Sequence, residues 1–118
     1  MNSEALSQLV VKGMLEKKAV DIAIIDLRNT ANSVADYFVI CSGNSDTQIE
    51  AIAESIEKET EEQADLRPWH KEGTSNKEWV LLDYVDVVAH IFSKKSRNFY
   101  SIEDLWGDAV IENVELEA

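Results

Sequence analysis

A chain of 118 residues fits one folding unit, because single domains mostly hold roughly 100 to 150 residues, and it leaves no room for a second core. Hydrophobic residues make up 45% and charged residues 29%, which sets the chain apart from low-hydrophobicity, highly charged sequences that stay disordered. With 11 Lys and Arg against 23 Asp and Glu the net charge is -12, which opposes broad binding to nucleic acid or anionic membrane and favours a basic protein partner.

Leu6, Leu9, Val10, Met14 and Leu15 recur at helical spacing behind a Ser3 cap, predicting an amphipathic helix that ends near Lys18. "VDIAIIDL" (20–27) and "DYFVICS" (36–42) are apolar on both alternating faces, as strands inside a covered sheet should be. The polar "RNTANSVA" between them lacks a tight-hairpin dipeptide and predicts a looser connection. Ser45 and Gln48 have capping-box spacing, and Ile49, Ile52, Ala53 and Ile56 form one stripe, so a helix is expected over about 46–63. Pro68 in "LRPWHKEG" marks an edge strand or an extended loop. Strands over 78–83 and 86–92 follow, then a short helix in "SIEDLWG" with a Ser101 cap and a Gly107 stop. The pattern predicts one α/β domain over residues 1–107, a mixed sheet packed with helices, and an acidic, loose tail over 108–118. The single Cys41 offers no internal disulfide, and "MNSEALSQLVVKGMLEKK" has no signal-peptide pattern, so a cytoplasmic protein is expected. No apolar run approaches the ~20 residues of a membrane span.

The stretch "WVLLDYVDVVAHIF" (79–92) carries the chemistry of interest. If Tyr84 and Val85 link a hairpin, Asp83 faces Asp86, Leu81 faces Val88, and Trp79 faces His90. One face is then aliphatic (Val80, Leu82, Val87, Ala89, Ile91), while the other mixes Trp79, Leu81, two aspartates, His90 and Phe92. An aromatic anchor within a polar rim suits a docking surface. The same residues suit an ordinary strand pair, with Asp83 starting a turn and Trp79 and His90 in the core. Val85 fits poorly at the positive φ that tight hairpins prefer, leaving the register open.

Three catalytic readings compete. Opposed Asp83 and Asp86 could share a divalent cation, with "SGNS" before a helix as an anion site, giving a metal-dependent nucleotidyltransferase-like enzyme. Against it stand a lone Gly43, Asp46 in the helix's first turn, and the distance in sequence of basic residues from both aspartates. Cys41 sits within an apolar strand, as a buried thiol rather than a nucleophile does, and one cysteine with two histidines matches no zinc spacing. In "SKKSRNFY", Lys94, Lys95 and Arg97 stand beside Phe99 and Tyr100; this island suits a solvated turn with the aromatics packed inward, a local contact with RNA phosphates, or one with an acidic patch on a protein, with Arg97 the stronger candidate.

"ADYFVICSGNSDTQIEAIAESIE", "EWVLLDYVDVVAHIF" and "RNFYSIEDLWGDA" resemble, in order, the ribosomal silencing factor family, also called Iojap-like proteins, over Leu6 to Ala109. The resemblance implies a small α/β fold similar to nucleotidyltransferases but without their catalytic site, and therefore no enzyme and no cofactor. It further implies docking on the large ribosomal subunit through ribosomal protein fourteen, with little direct RNA contact, obstructing subunit joining and repressing translation under nutrient limitation. Carried onto this chain, the partner-binding residues are Trp79, Leu81, Asp83, Tyr84 and His90, with Arg97 and Tyr100 beyond the hairpin. The chain departs from the family at Val85, where glycine is common, and at "SKKSR". A homodimer through an exposed sheet stays open.

Overall fold

The computed structural model describes residues 2–30, 34–100 and 109–114, with residues 98–100 described by backbone alone. In chain order the elements are α1 (Ser3–Glu16), β1 (Val20–Asp26), β2 (Tyr37–Gly43), α2 (Asp46–Ala64), β3 (His70–Glu72), β4 (Trp79–Asp83), β5 (Val87–Ser93), α3 (Lys94–Tyr100) and β6 (Val110–Asn113). The strands form one six-stranded mixed sheet in the order β3-β4-β5-β2-β1-β6, with β2 and β5 parallel and the other pairs antiparallel. The two doubly apolar strands read from sequence, β1 and β2, lie inside that order, and β2 is buried along its whole length.

Asn2, not Ser3, caps α1: its side-chain oxygen accepts from the Ala5 amide at 2.7 Å. At α2 the expected box forms in altered geometry. Ser45 Oγ accepts from the Gln48 amide at 3.1 Å, while Gln48 Oε1 accepts from the Asn44 amide at 2.6 Å. Gln48 Nε2 also donates to the carbonyls of Lys17 and Lys18, fastening the start of α2 to the end of α1.

Both helices cover one sheet face, where Val10, Val11, Met14, Ile49, Ile52 and Ile56 meet Ile24, Val39, Cys41, Val80, Leu82, Ala89 and Ile91. The helices cross closely at Gly13: a Cβ there would lie 2.7 Å from Ile56 Cα, and Ser55 Oγ donates to the Gly13 carbonyl at 2.8 Å. The opposite face gathers Ala23, Ile25, Phe38, Ile40, Val88 and Phe92, with Trp79 and Leu81 partly buried against them. The aliphatic and mixed faces of the hairpin therefore separate as their alternation predicts.

Two stretches differ from expectation. Lys94–Tyr100, read as a turn, is helical and starts where Ser93 Oγ accepts from the Ser96 amide at 3.1 Å. Part of the acidic tail is a strand: β6 pairs with β1, and the Val114 amide donates to the Ile22 carbonyl at 2.8 Å. The exposed edge of β1 supplies partners that composition does not reveal. The helix expected in "SIEDLWG" lies outside the described residues.

Candidate functional site

The β4–β5 hairpin pairs Trp79 with Phe92, Leu81 with His90, and Asp83 with Val88. This register is two residues longer in the loop than the sequence suggested. Because the shift is even, every side chain keeps its face. Asp83 thus opposes Val88, and the two aspartates are not brought together.

Asp83 holds backbone through its carboxylate, and Asp86 does so through its own main-chain carbonyl. Asp83 Oδ1 accepts from the Val85 amide at 2.7 Å, closing an Asx turn, and the Tyr84 amide donates to the Val87 carbonyl at 2.9 Å. The Asp86 carbonyl accepts from the Asp36 and Tyr37 amides, anchoring the start of β2 to the turn. Val85 adopts φ +77°, the conformation its branched side chain disfavours. The register on which the metal reading depended is absent, and no group of three or more His, Cys, Asp or Glu able to hold a metal occurs among the described residues. At the "SGNS" helix start, the Asn44 and Gln48 amides already have partners within the chain.

His90 is 3% exposed and sits among Phe38, Trp79 and Phe92, with ring centroids 4.7, 5.8 and 6.2 Å away. Trp79 Nε1–H donates to His90 Nδ1 at 3.0 Å. A neutral ring accepting at Nδ1 carries its proton on Nε2, and that buried nitrogen has no partner among the described residues. Burial pushes the imidazole down to a pKa of about 3, so it is uncharged throughout the neutral range. The side chain that reaches outward is Trp79, half-buried, stacked on Phe92 at 5.1 Å and fixed by His90.

Leu81 and Asp83 are likewise half-buried on this face. Beside Trp79 and Leu81 opens a cavity of about 260 Å³, lined also by Glu72, Gly73, Asn76 and Glu78. Tyr84, expected on the docking surface, turns the other way. Its ring is 8% exposed and its hydroxyl shares a 2.8 Å hydrogen bond with Thr60 Oγ1 of α2. Burial pushes that hydroxyl up to a pKa of about 12. Arg97 lies at the far end of the hairpin, where its Nη1 donates to Ser42 Oγ at 3.1 Å. The Tyr100 side chain lies outside the described residues. Cys41 is fully buried, and burial holds its thiol well above the usual range, as a core residue rather than a nucleophile.

Sequence reasoning passed over Trp69, which is 77% exposed. The available signal for Trp69 was an aromatic with no apolar neighbour at strand spacing, since Pro68, His70 and Lys71 surround it. A residue so placed has no core to join.

The family model described as "Ribosomal silencing factor during starvation" matches residues 1–118. A ribosomal silencing factor of Halalkalibacterium halodurans is 40% identical over 99% of this chain and 97% of its own length. One from Bacillus subtilis is 38% identical over 98% and 96%. A crystal structure of a protein from Chromobacterium violaceum superposes with a TM-score of 0.85 at 31% identity, covering 91% of this chain and 88% of that one.

Proposed function

The chain belongs to the ribosomal silencing factor family, and we propose on that premise that it docks on the large ribosomal subunit through ribosomal protein fourteen. Bound there, it keeps the small subunit away by bulk and lowers translation when nutrients are short. The observation that carries this reading is the mixed face of the hairpin, where Trp79, held by His90, and Leu81 border a cavity lined by Glu72 and Glu78. An aromatic wall with two carboxylates beside it suits a Lys or Arg side chain of a basic protein. A net charge of -12 favours such a partner and disfavours close approach to RNA. His90, too deeply buried to touch a partner in this conformation, serves by fixing Trp79. The action needs no reaction and no cofactor, and its place is the cytoplasm; among the described residues no helix is long and apolar enough to cross a membrane.

The test is a subunit-joining assay on sucrose gradients with purified protein. Added protein should shift joined ribosomes toward separate subunits and co-sediment with the large one. Trp79→Ala should weaken that co-sedimentation by roughly 30-fold or more, the loss typical of a central anchor. Glu72→Lys with Glu78→Lys, both exposed positions, should weaken it without unfolding the protein. Ribosomes that stay joined at saturating protein refute the reading.

A further inference from the structure

Glu72 and Glu78, the two carboxylates of the cavity beside Trp79, each follow a lysine directly in the chain, Lys71 and Lys77. A lysine that close is the natural neutralising partner, yet neither serves as one. Lys71 Nζ pairs with Glu57 Oε1 at 3.2 Å and Lys77 Nζ with Glu50 Oε2 at 3.1 Å, both on α2, which covers the opposite face of the sheet. Among the described residues Glu72 meets only the His70 ring, at 3.0 Å. Glu78 is held through its amide, which donates to Asn76 Oδ1 at 3.2 Å, and its carboxylate has no ion pair among those residues.

The backbone begins this division. β3 pairs with β4 so that Lys71 stands opposite Leu82 and Glu72 opposite Leu81. Leu82 lies under the helices and Leu81 on the mixed face, so alternation sends Lys71 toward α2 and Glu72 toward Trp79. The loop from β3 to β4 turns through Gly73 at φ +78° and Lys77 at φ +57°, and the Lys77 amide donates to the Gly73 carbonyl at 3.0 Å. Lys71 and Lys77 then line a second cavity of about 160 Å³ together with Glu50, Glu54 and Glu57. Alternation alone does not keep a lysine there. Its four-carbon stem is flexible, and β3 is an edge strand around which such a stem can swing.

We propose that Glu50 and Glu57 are positioning residues for the docking site: by drawing Lys77 and Lys71 to α2, they leave Glu72 and Glu78 uncompensated for a cationic side chain of the basic partner. The proposal rests on the docking reading above and supplies its charge selectivity. Two carboxylates beside the Trp79 ring and without an internal cation attract one from outside, whereas the same carboxylates neutralised by Lys71 or Lys77 do not. Both pairs lie at the surface, so they add little to stability. Their consequence is the direction in which each lysine points.

The experiment measures co-sedimentation of purified large subunits with the full chain and its variants, with thermal melts of each and carboxyl carbon NMR of the free proteins. Glu50→Gln and Glu57→Gln should each bind about fivefold more weakly while melting close to the parent. Glu54→Gln removes the same charge from an exposed position of the same helix and should stay within about twofold of the parent. Removing the released lysine as well, in Glu50→Gln with Lys77→Gln and in Glu57→Gln with Lys71→Gln, should restore the parent's binding. The carboxyl resonances of Glu72 and Glu78 should move in the single variants and return in the double ones. If the parent binds and the single variants bind equally well, the positioning role is refuted while the docking reading stands. Double variants as weak as the single ones also overturn it, since Glu50 and Glu57 then act through their own charge. If the parent chain does not bind large subunits, the docking reading fails, and unmoved Glu72 and Glu78 resonances refute the positioning role separately in the free protein.

Discussion

Replacing His90 by phenylalanine should change how stability responds to acid more than it changes stability at neutral pH. The unfolded imidazole titrates near 6.5, whereas burial among aromatic rings lowers it to about 3 in the folded chain. A base with a lowered folded pKa binds fewer protons folded than unfolded, so stability is full above pH 6.5 and is lost as pH falls toward 3. At 1.36 kcal/mol per pKa unit the loss is capped at about 5 kcal/mol, and roughly half of it falls between pH 7 and pH 4.5. That is a large share of the roughly 5 to 15 kcal/mol that holds a domain together. Phenylalanine has nothing to titrate, removes the buried Nε2–H that has no partner among the described residues, and leaves the Trp79 indole N–H on a half-exposed ring that water can reach. Urea unfolding of both proteins at pH 7, 5.5 and 4.5 separates the effects. The parent should lose roughly 2 to 3 kcal/mol more than His90→Phe across that range. Asp26, whose carboxyl is lowered chiefly by its hydrogen bonds with Arg28, adds its dependence only at lower pH, where stability present above the ordinary carboxylate range is lost. Parallel acid limbs for the two proteins would show that His90 is not the buried neutral base inferred from its surroundings.

Gly73→Ala should destabilise the fold by about 3 kcal/mol or more and weaken subunit binding, because φ is +78° there and a Cβ would stand 1.9 Å from the Trp79 carbonyl oxygen. Thermal melts and co-sedimentation read the two effects together. Gly13→Ala should lower stability by about 2 kcal/mol despite the better helix propensity of alanine, since the new Cβ meets Ile56 backbone; thermal unfolding checks the sign. Tyr84→Phe should cost about 1 kcal/mol through the lost Thr60 hydrogen bond while leaving subunit binding unchanged. It should also flatten the alkaline limb above pH 10, because a hydroxyl raised to about 12 keeps its proton when folded and loses that advantage as pH rises.

What the sequence disclosed and what it hid follow from the range of each physical signal. Alternation in 79–92 separated the two hairpin faces correctly, since a strand's period of two is local and survives an even slip in register. It could not count the loop residues, because Val85 at φ +77° and the Asp83 Oδ1 bond to the Val85 amide are choices of turn geometry that the residue types oppose or merely permit. The α2 cap was legible from Ser45 and Gln48, three residues apart, whereas the bonds from Gln48 to the Lys17 and Lys18 carbonyls span about thirty residues and leave no periodic trace. The same limit governs the site. Trp79 and Tyr84 are both aromatics in one hairpin, and composition treats them alike. Their directions depend on what each finds across the fold: His90 Nδ1 holds the indole toward the mixed face, and Thr60 draws the phenol toward α2. β6 escaped for a related reason, because Val110–Asn113 becomes a strand only where β1 offers an edge to pair with. The binding surface proposed for this protein is thus set less by which residues its hairpin contains than by which of them the rest of the chain leaves uncovered.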